Sequence, residues 1–222
     1  MSLWTNRGKF QFPDVVSRFY IVSLVIHDQD VNVGELIRRL DSDWTMMGYE
    51  DFCFHAGPLI RKEKGYMYMP REKRTAVFSR MLTFARQMDF KFHCLVVDKQ
   101  FITSAQQIVE RLQQQLGEFL SSGSEVVVAD RVKVYYDCGQ APLTNLLQDV
   151  FTNRLGSRIE FAQGVKPENY KLFQLADLVC TIKLTQLKIA KGVSLTDDEF
   201  RFFGGPRKFM RNIYKQFARK EI

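Results

Sequence analysis

The apolar positions of this chain follow two different spacings. Residues 18–28, "RFYIVSLVIHD", are rich in β-branched and aromatic side chains and predict a strand. "FKFHCLVVDK" (90–99) predicts a second. In "RVKVYYD" (131–137), Val132, Val134 and Tyr136 alternate with Arg131, Lys133 and Tyr135, the period of a half-buried strand. "RIEFA" predicts a short fourth strand. Helical spacing takes over in "REKRTAVFSRMLTFARQM" (71–88). There Val77, Phe78, Met81, Leu82, Ala85 and Met88 keep one face apolar, and Pro70 stands where helices begin. "TSAQQIVERLQQQLGEFL" places Ile108, Leu112, Leu116 and Phe119 on one side, with Ser104 and Gln107 at capping-box spacing. Further helices are expected over "VGELIRRL", near 141–154, over roughly 168–190, and from about 206. Residues 41–70 read as irregular.

Strands and helices alternate from residue 71 onward. This predicts an at least partly parallel sheet with covering helices, hence an α/β class. There is no internal repeat, low-complexity run or linker, so residues 1–222 are expected to form a single domain ending in a basic helix. A chain of 222 residues with 45% hydrophobic residues can bury one substantial core. "FYIVSLVI" is too short to span a bilayer, so no membrane association is expected. The start of the chain lacks a basic segment followed by an apolar run and a cleavage site, so no signal peptide is expected. Cys53, Cys94, Cys138 and Cys180 are scattered without metal spacing, the pattern of reduced thiols in a cytoplasmic protein. The net charge of +7 favours acidic partners, nucleic acid among them, or is the modest excess of an ordinary soluble surface.

One charge stands in the wrong neighbourhood. "YKLFQLADLVCTIKL" (170–184) is nearly apolar all round, yet Asp177 sits in its middle. A buried carboxylate costs several kcal/mol, order of magnitude, unless it is paired, bound to metal or wet. On a helix, Gln174, Asp177, Thr181 and Lys188 form one narrow polar row. Two readings of that row stand: a thin solvent-exposed stripe, or a face toward a cleft with Asp177 as metal ligand or base. Asp137 closes the strand "KVYYD", where open α/β sheets gather ligands, but Asp before Gly is also a turn former. Paired, Asp137 and Asp177 would make a two-carboxylate site for Mg or Mn. His55, in "FHAGPL", is a candidate catalytic residue or a buried, hydrogen-bonded histidine. Glu63 reads as a solvated charge, and His27 and His93 as structural. At the C-terminus, Arg207, Lys208, Arg211 and Lys215 form a basic flank beside Phe209, Ile213 and Phe217. That flank could hold phosphates or be the ordinary exterior of a docking helix.

Taken together, "FYIVSLVIHDQ", "FHAGPLIR", "VYYDCGQAPLTNLL", "YKLFQLADLVCT" and "FFGGPRKFMRNIYK" resemble a bacterial family known as domain-of-unknown-function family 3800. The likeness implies a ribonuclease H-like mixed sheet flanked by helices. It implies a metal-dependent nuclease, with Asp137 and Asp177 as members of an acidic cluster and His55 nearby. The family opens with a strand ending in Asp-Glu-Ser-Gly. Here either "TNRGKF" stands at the corresponding place, without either acid and with Arg7 beside it, or that stretch is unrelated and the first strand is missing; in both cases no first-strand carboxylate is expected. Two-metal chemistry needs several carboxylates, so one weakly held ion is the expected ceiling. The resemblance therefore leaves two functions open. One is a nuclease with little or no activity in this chain. The other is a non-catalytic nucleic-acid- or protein-binding module that keeps the fold.

Overall fold

The computed structural model describes residues 17–50, 52–121, 123–136 and 139–222. In chain order the elements are β1 (Phe19–Ile26), α1 (Gly34–Met46), α2 (Ala56–Arg61), α3 (Arg71–Gln87), β2 (Lys91–Asp98), α4 (Ala105–Phe119), α5 (Glu125–Val128), β3 (Val132–Val134), α6 (Ala141–Leu155), β4 (Ile159–Phe161), α7 (Lys171–Ala190), α8 (Asp197–Phe203), α9 (Pro206–Phe209) and α10 (Lys215–Phe217). A π-helical turn, Met210–Tyr214, joins α9 to α10. Among the described residues no helix is long and apolar enough to cross a membrane.

The strands do not assemble into one sheet. Among the described residues they form two separate two-stranded sheets, β1 with β2 and β3 with β4. The Arg18 carbonyl accepts from Lys99 N, and His27 Nδ1 meets the Asp89 carbonyl, so β1 and β2 run antiparallel. β3 and β4 are parallel, with Val132, Lys133 and Val134 opposite Ile159, Glu160 and Phe161. The chain is predominantly α-helical, which overturns the expected ribonuclease H-like α/β fold and the likeness to family 3800 that implied it. The physical reason lies in which elements carry the burial. β3 and β4 are three residues each, and none of those residues is fully buried. The helices supply most of the buried hydrophobic side chains.

Two compact units are formed. Among the described residues, one comprises 17–22 and Leu95–Lys166; the other comprises Ser23–Cys94 and Pro167–Ile222. In the first, α4 packs on α6, and Ile108, Leu112 and Leu116 of one and Leu143, Leu147 and Val150 of the other are buried. Ser104 caps α4 by accepting from Gln107 N. The Gln107 side chain accepts from Thr103 N rather than from the cap residue, so only half of the expected capping box forms. Gln115 binds both backbone groups of Val96, at 2.8 and 2.9 Å, and thereby ties α4 to the end of β2.

The second unit is built around α7. Leu175, Leu178, Val179 and Ile182 are almost fully buried, as are Leu59 and Ile60 of α2 and Met81 of α3. A run of rings continues the core: Trp44 stacks near Phe54, Phe54 meets Phe78, Phe78 meets Phe203 and Phe203 meets Phe209. Residues 56–61, expected to be irregular, are helical because α2 is held at both ends. Its first N–H is bound by Asp177, and its last carbonyls, Leu59 and Ile60, accept from the buried Arg74 at 2.7 and 2.9 Å. An anion at the N-terminus and a cation at the C-terminus are what the helix dipole favours.

Candidate active site

The polar row of α7 makes tertiary contacts. Each of three members fastens another segment to the helix. Gln174 is 1% exposed. Its Oε1 accepts from Phe54 N at 3.1 Å, and its Nε2 donates to the Pro167 carbonyl at 3.1 Å. Asp177 Oδ2 accepts from Ala56 N at 2.7 Å. Lys188 donates to both oxygens of Glu199, at 2.8 and 2.9 Å, and Glu199 completes a capping box with Thr196 at the start of α8. The carboxylate that looked misplaced in the sequence is thus the cap of α2.

Around that cap lies a cluster drawn from one stretch of extended chain. His55 has φ −127° and ψ 105°, so Cys53 and His55, two residues apart, project to the same side. Cys53 Sγ lies 3.5 Å from His55 Nε2. His55 Nδ1 lies 4.0 Å from Asp177 Oδ2, within ion-pair reach but too long for a hydrogen bond. Tyr66 locks the stretch: its hydroxyl accepts from His55 N at 3.0 Å and donates to the Cys53 carbonyl at 3.1 Å. The backbone N–H groups of Phe54, His55 and Ala56 are therefore all engaged, by Gln174, Tyr66 and Asp177. What stays available is the Cys53 thiol, the His55 ring and Asp177 Oδ1, for which no hydrogen bond is formed among the described residues.

The electrostatics of the three groups differ. Burial pushes the Cys53 thiol up, and the nearby carboxylates of Glu168 and Asp177 add to this against Lys171. Burial also raises the Asp177 carboxyl above its usual range, opposed by the Ala56 N–H and by His55. Its side chain still keeps 38% of its surface, and that of His55 48%, so solvent limits how far Asp177 can be driven. The Tyr66 hydroxyl, desolvated by burial, is pushed up to about 12 and stays protonated as a donor.

Of the residues the sequence singled out, His55 and Asp177 are brought together. Asp137 lies outside the described residues, as do Thr5, Asn6 and Arg7. Among the described residues no group of three or more His, Cys, Asp or Glu is arranged to hold a metal ion. No family model, curated protein or solved structure matches this chain. With neither the fold nor a metal cluster behind it, the reading as a metal-dependent nuclease, or as a binding module on a ribonuclease H-like fold, is withdrawn. Arg207, Lys208, Arg211 and Lys215 are all exposed while Phe209 and Phe217 are buried, an arrangement that a docking helix shows as readily as a phosphate-binding one. Glu63 pairs with Arg61 at 2.8 Å. His27 and His93 bind backbone carbonyls, of Asp89 and Ile222. Cys53 and Tyr66 were missed by the sequence reading. The i, i+2 spacing in "CFH" was a signal for the first; nothing local marks the second.

Proposed function

We infer that Cys53, His55 and Asp177 form a thiol-based acyl-transfer site. The observation that carries this is the chain of contacts Cys53 Sγ–His55 Nε2–Asp177, with a nucleophile, a base and an orienting carboxylate in that order. Catalytic contacts are often long before substrate binds. Because burial raises the thiol, a standing thiolate is disfavoured. The attack then follows the general-base pattern: Sγ bonds to the acyl carbon as its proton passes to Nε2. The leaving group departs with that proton; water, deprotonated by the same nitrogen, then adds to the thioester carbon, the C–S bond breaks to release the acid, and Nε2 returns the proton to Sγ. Asp177 faces Nδ1 and favours the imidazolium formed in the first step. The N–H groups of residues 54–56 are already bound, so none is free to serve as an oxyanion donor. One such donor contributes roughly 10²–10³-fold in other hydrolases. Activated esters and thioesters are therefore the substrates expected, not amides.

A reducing, cytoplasmic setting suits this chemistry, and Cys53, Cys94 and Cys180 are not joined in disulfides. The test is hydrolysis of p-nitrophenyl acetate together with the pH dependence of iodoacetamide alkylation, resolved by mass spectrometry. Cys94 and Cys180, both also raised by burial but without a histidine contact at the sulfur among the described residues, serve as internal references. Cys53→Ser should abolish hydrolysis, and His55→Gln should lower it by about 10²-fold or more. Hydrolysis unchanged in either variant would overturn the reading.

A further inference from the structure

A second feature of the same unit lies outside that cluster of residues. The loop after α2, the start of α3 and helix α8 enclose a cleft of about 480 Å³. This is within the range of small-molecule sites, roughly 300–1,000 Å³. Its charge is one-sided. Lys62, Arg71, Arg74 and Arg201 line it against a single carboxylate, Asp198, leaving 4 − 1 = +3. Among the described residues, none of the four cations forms an ion pair.

Arg74 makes the asymmetry more than a surface accident. It is 5% exposed, and its Nε is a buried donor with no partner among the described residues. One terminal nitrogen holds the α2 carbonyls, and the guanidinium lies over the Phe202 ring at 5.7 Å. A buried donor left without an acceptor is costly. Arg71 donates to the Arg201 carbonyl and so joins α3 to α8 across this cleft. Lys62 holds a left-handed conformation, φ 60°, that glycine would adopt with less strain, and its cation lies in the lining.

The apolar lining is as telling. Tyr68 is 92% exposed and Met67 49%, in a chain that buries most of its rings. A flat, exposed phenol beside a cationic cleft offers a stacking surface at low entropic cost. We propose that this cleft binds a small phosphate monoester carrying a planar ring. A monoester is close to a dianion at neutral pH and matches the excess of +3 better than a single carboxylate does. Guanidinium groups recognise its oxygens with directional hydrogen bonds. Asp198 supplies the one acceptor for a hydroxyl or amino group of the ligand.

The test is calorimetric titration of the full chain with adenosine 5′-monophosphate, inorganic phosphate and adenosine. The monophosphate should bind, phosphate should bind more weakly, and adenosine should not bind measurably. Arg74 supports α2, so the diagnostic variants are the exposed Arg201→Gln and Tyr68→Ala. Arg201→Gln should weaken the monophosphate by about tenfold. Tyr68→Ala should weaken it by about fivefold while leaving inorganic phosphate unchanged. Equal affinity for adenosine and its monophosphate, or a monophosphate affinity unmoved by Arg201→Gln, would overturn the anion site. An affinity unmoved by Tyr68→Ala would overturn the ring contact. Absence of phosphate-dependent binding in the millimolar range would overturn the proposal as a whole.

Discussion

Asp177 shows how one residue can carry a structural contact beside the role proposed for it at the site. Its carboxylate is desolvated among apolar neighbours, and its compensation is a short hydrogen bond from the first N–H of α2. The two effects can be separated. Asp177→Asn removes the charge but keeps an amide oxygen able to accept from Ala56 N, so its stability should be neutral to improved. Asp177→Ala removes the acceptor, leaves that N–H unsatisfied and should lose about 1–3 kcal/mol. The pH dependence carries a definite sign. A carboxyl raised in the folded state contributes stability that is fully present below its unfolded value and lost as pH rises through the folded one. The stability of the unmodified chain relative to Asp177→Asn should therefore fall as pH rises from the ordinary Asp range, then level off. Urea denaturation of the unmodified chain and both variants across pH checks this. A relative stability that instead rose with pH would show that the anion is favoured in the fold.

At the scale of elements, α7 fixes its neighbours through side chains one helical turn or more apart. The Lys188–Glu199 pair is the buried case, with side chains 13% and 4% exposed. Breaking it from one side strands a charge. Lys188→Met should lose about 3 kcal/mol, toward the low end for buried pairs because Thr196 N still donates to Glu199. Lys188→Met combined with Glu199→Gln should recover at least half of that loss, and a double variant no better than the single would refute the account. The elements themselves were largely legible. Period-two and period-3.6 spacing placed β1, β2, α3, α4 and α7 to within a few residues of where they lie. α2 was not legible, because a six-residue helix has no period to read and depends on Asp177 and Arg74, remote in sequence. The capping box of Thr196 and Glu199 was legible in "TDDE" and overlooked. In the site, Asp177 was flagged by its apolar setting and His55 by its loop. Tyr66 became visible only through the turn that brings residues 53, 55 and 66 together.

For the molecule as a whole, the local spacings said which segments were strands but not which strands would pair. Pairing is decided by long-range contacts that leave no period in the sequence, so the alternation of strands and helices pointed to one sheet where, among the described residues, two small ones form. This difference has a measurable consequence. A two-stranded ladder of three-residue strands with a solvated face is marginal by itself, and β3 and β4 have only half-buried or exposed residues. The centre of α7 is enclosed, with Leu175 and Leu178 at 0% exposure, and Leu59 of α2, which packs on it, and Met81 of α3 in the same unit are also at 0%. Stability in a folded chain is distributed accordingly, and amide hydrogen exchange reports it segment by segment. Amides of Leu175–Leu184 should exchange only through the largest openings of their unit. Those of Val132–Val134 and Ile159–Phe161 should exchange through local fraying, faster by about two orders of magnitude or more. α4 and α6, which pack directly on each other, provide the comparison within the same unit as β3 and β4 and should fall between the two. If β3 and β4 were protected as long as α7, their ladder would have to continue into a wider sheet than the one described, and the helical account of where this protein keeps its stability would fail.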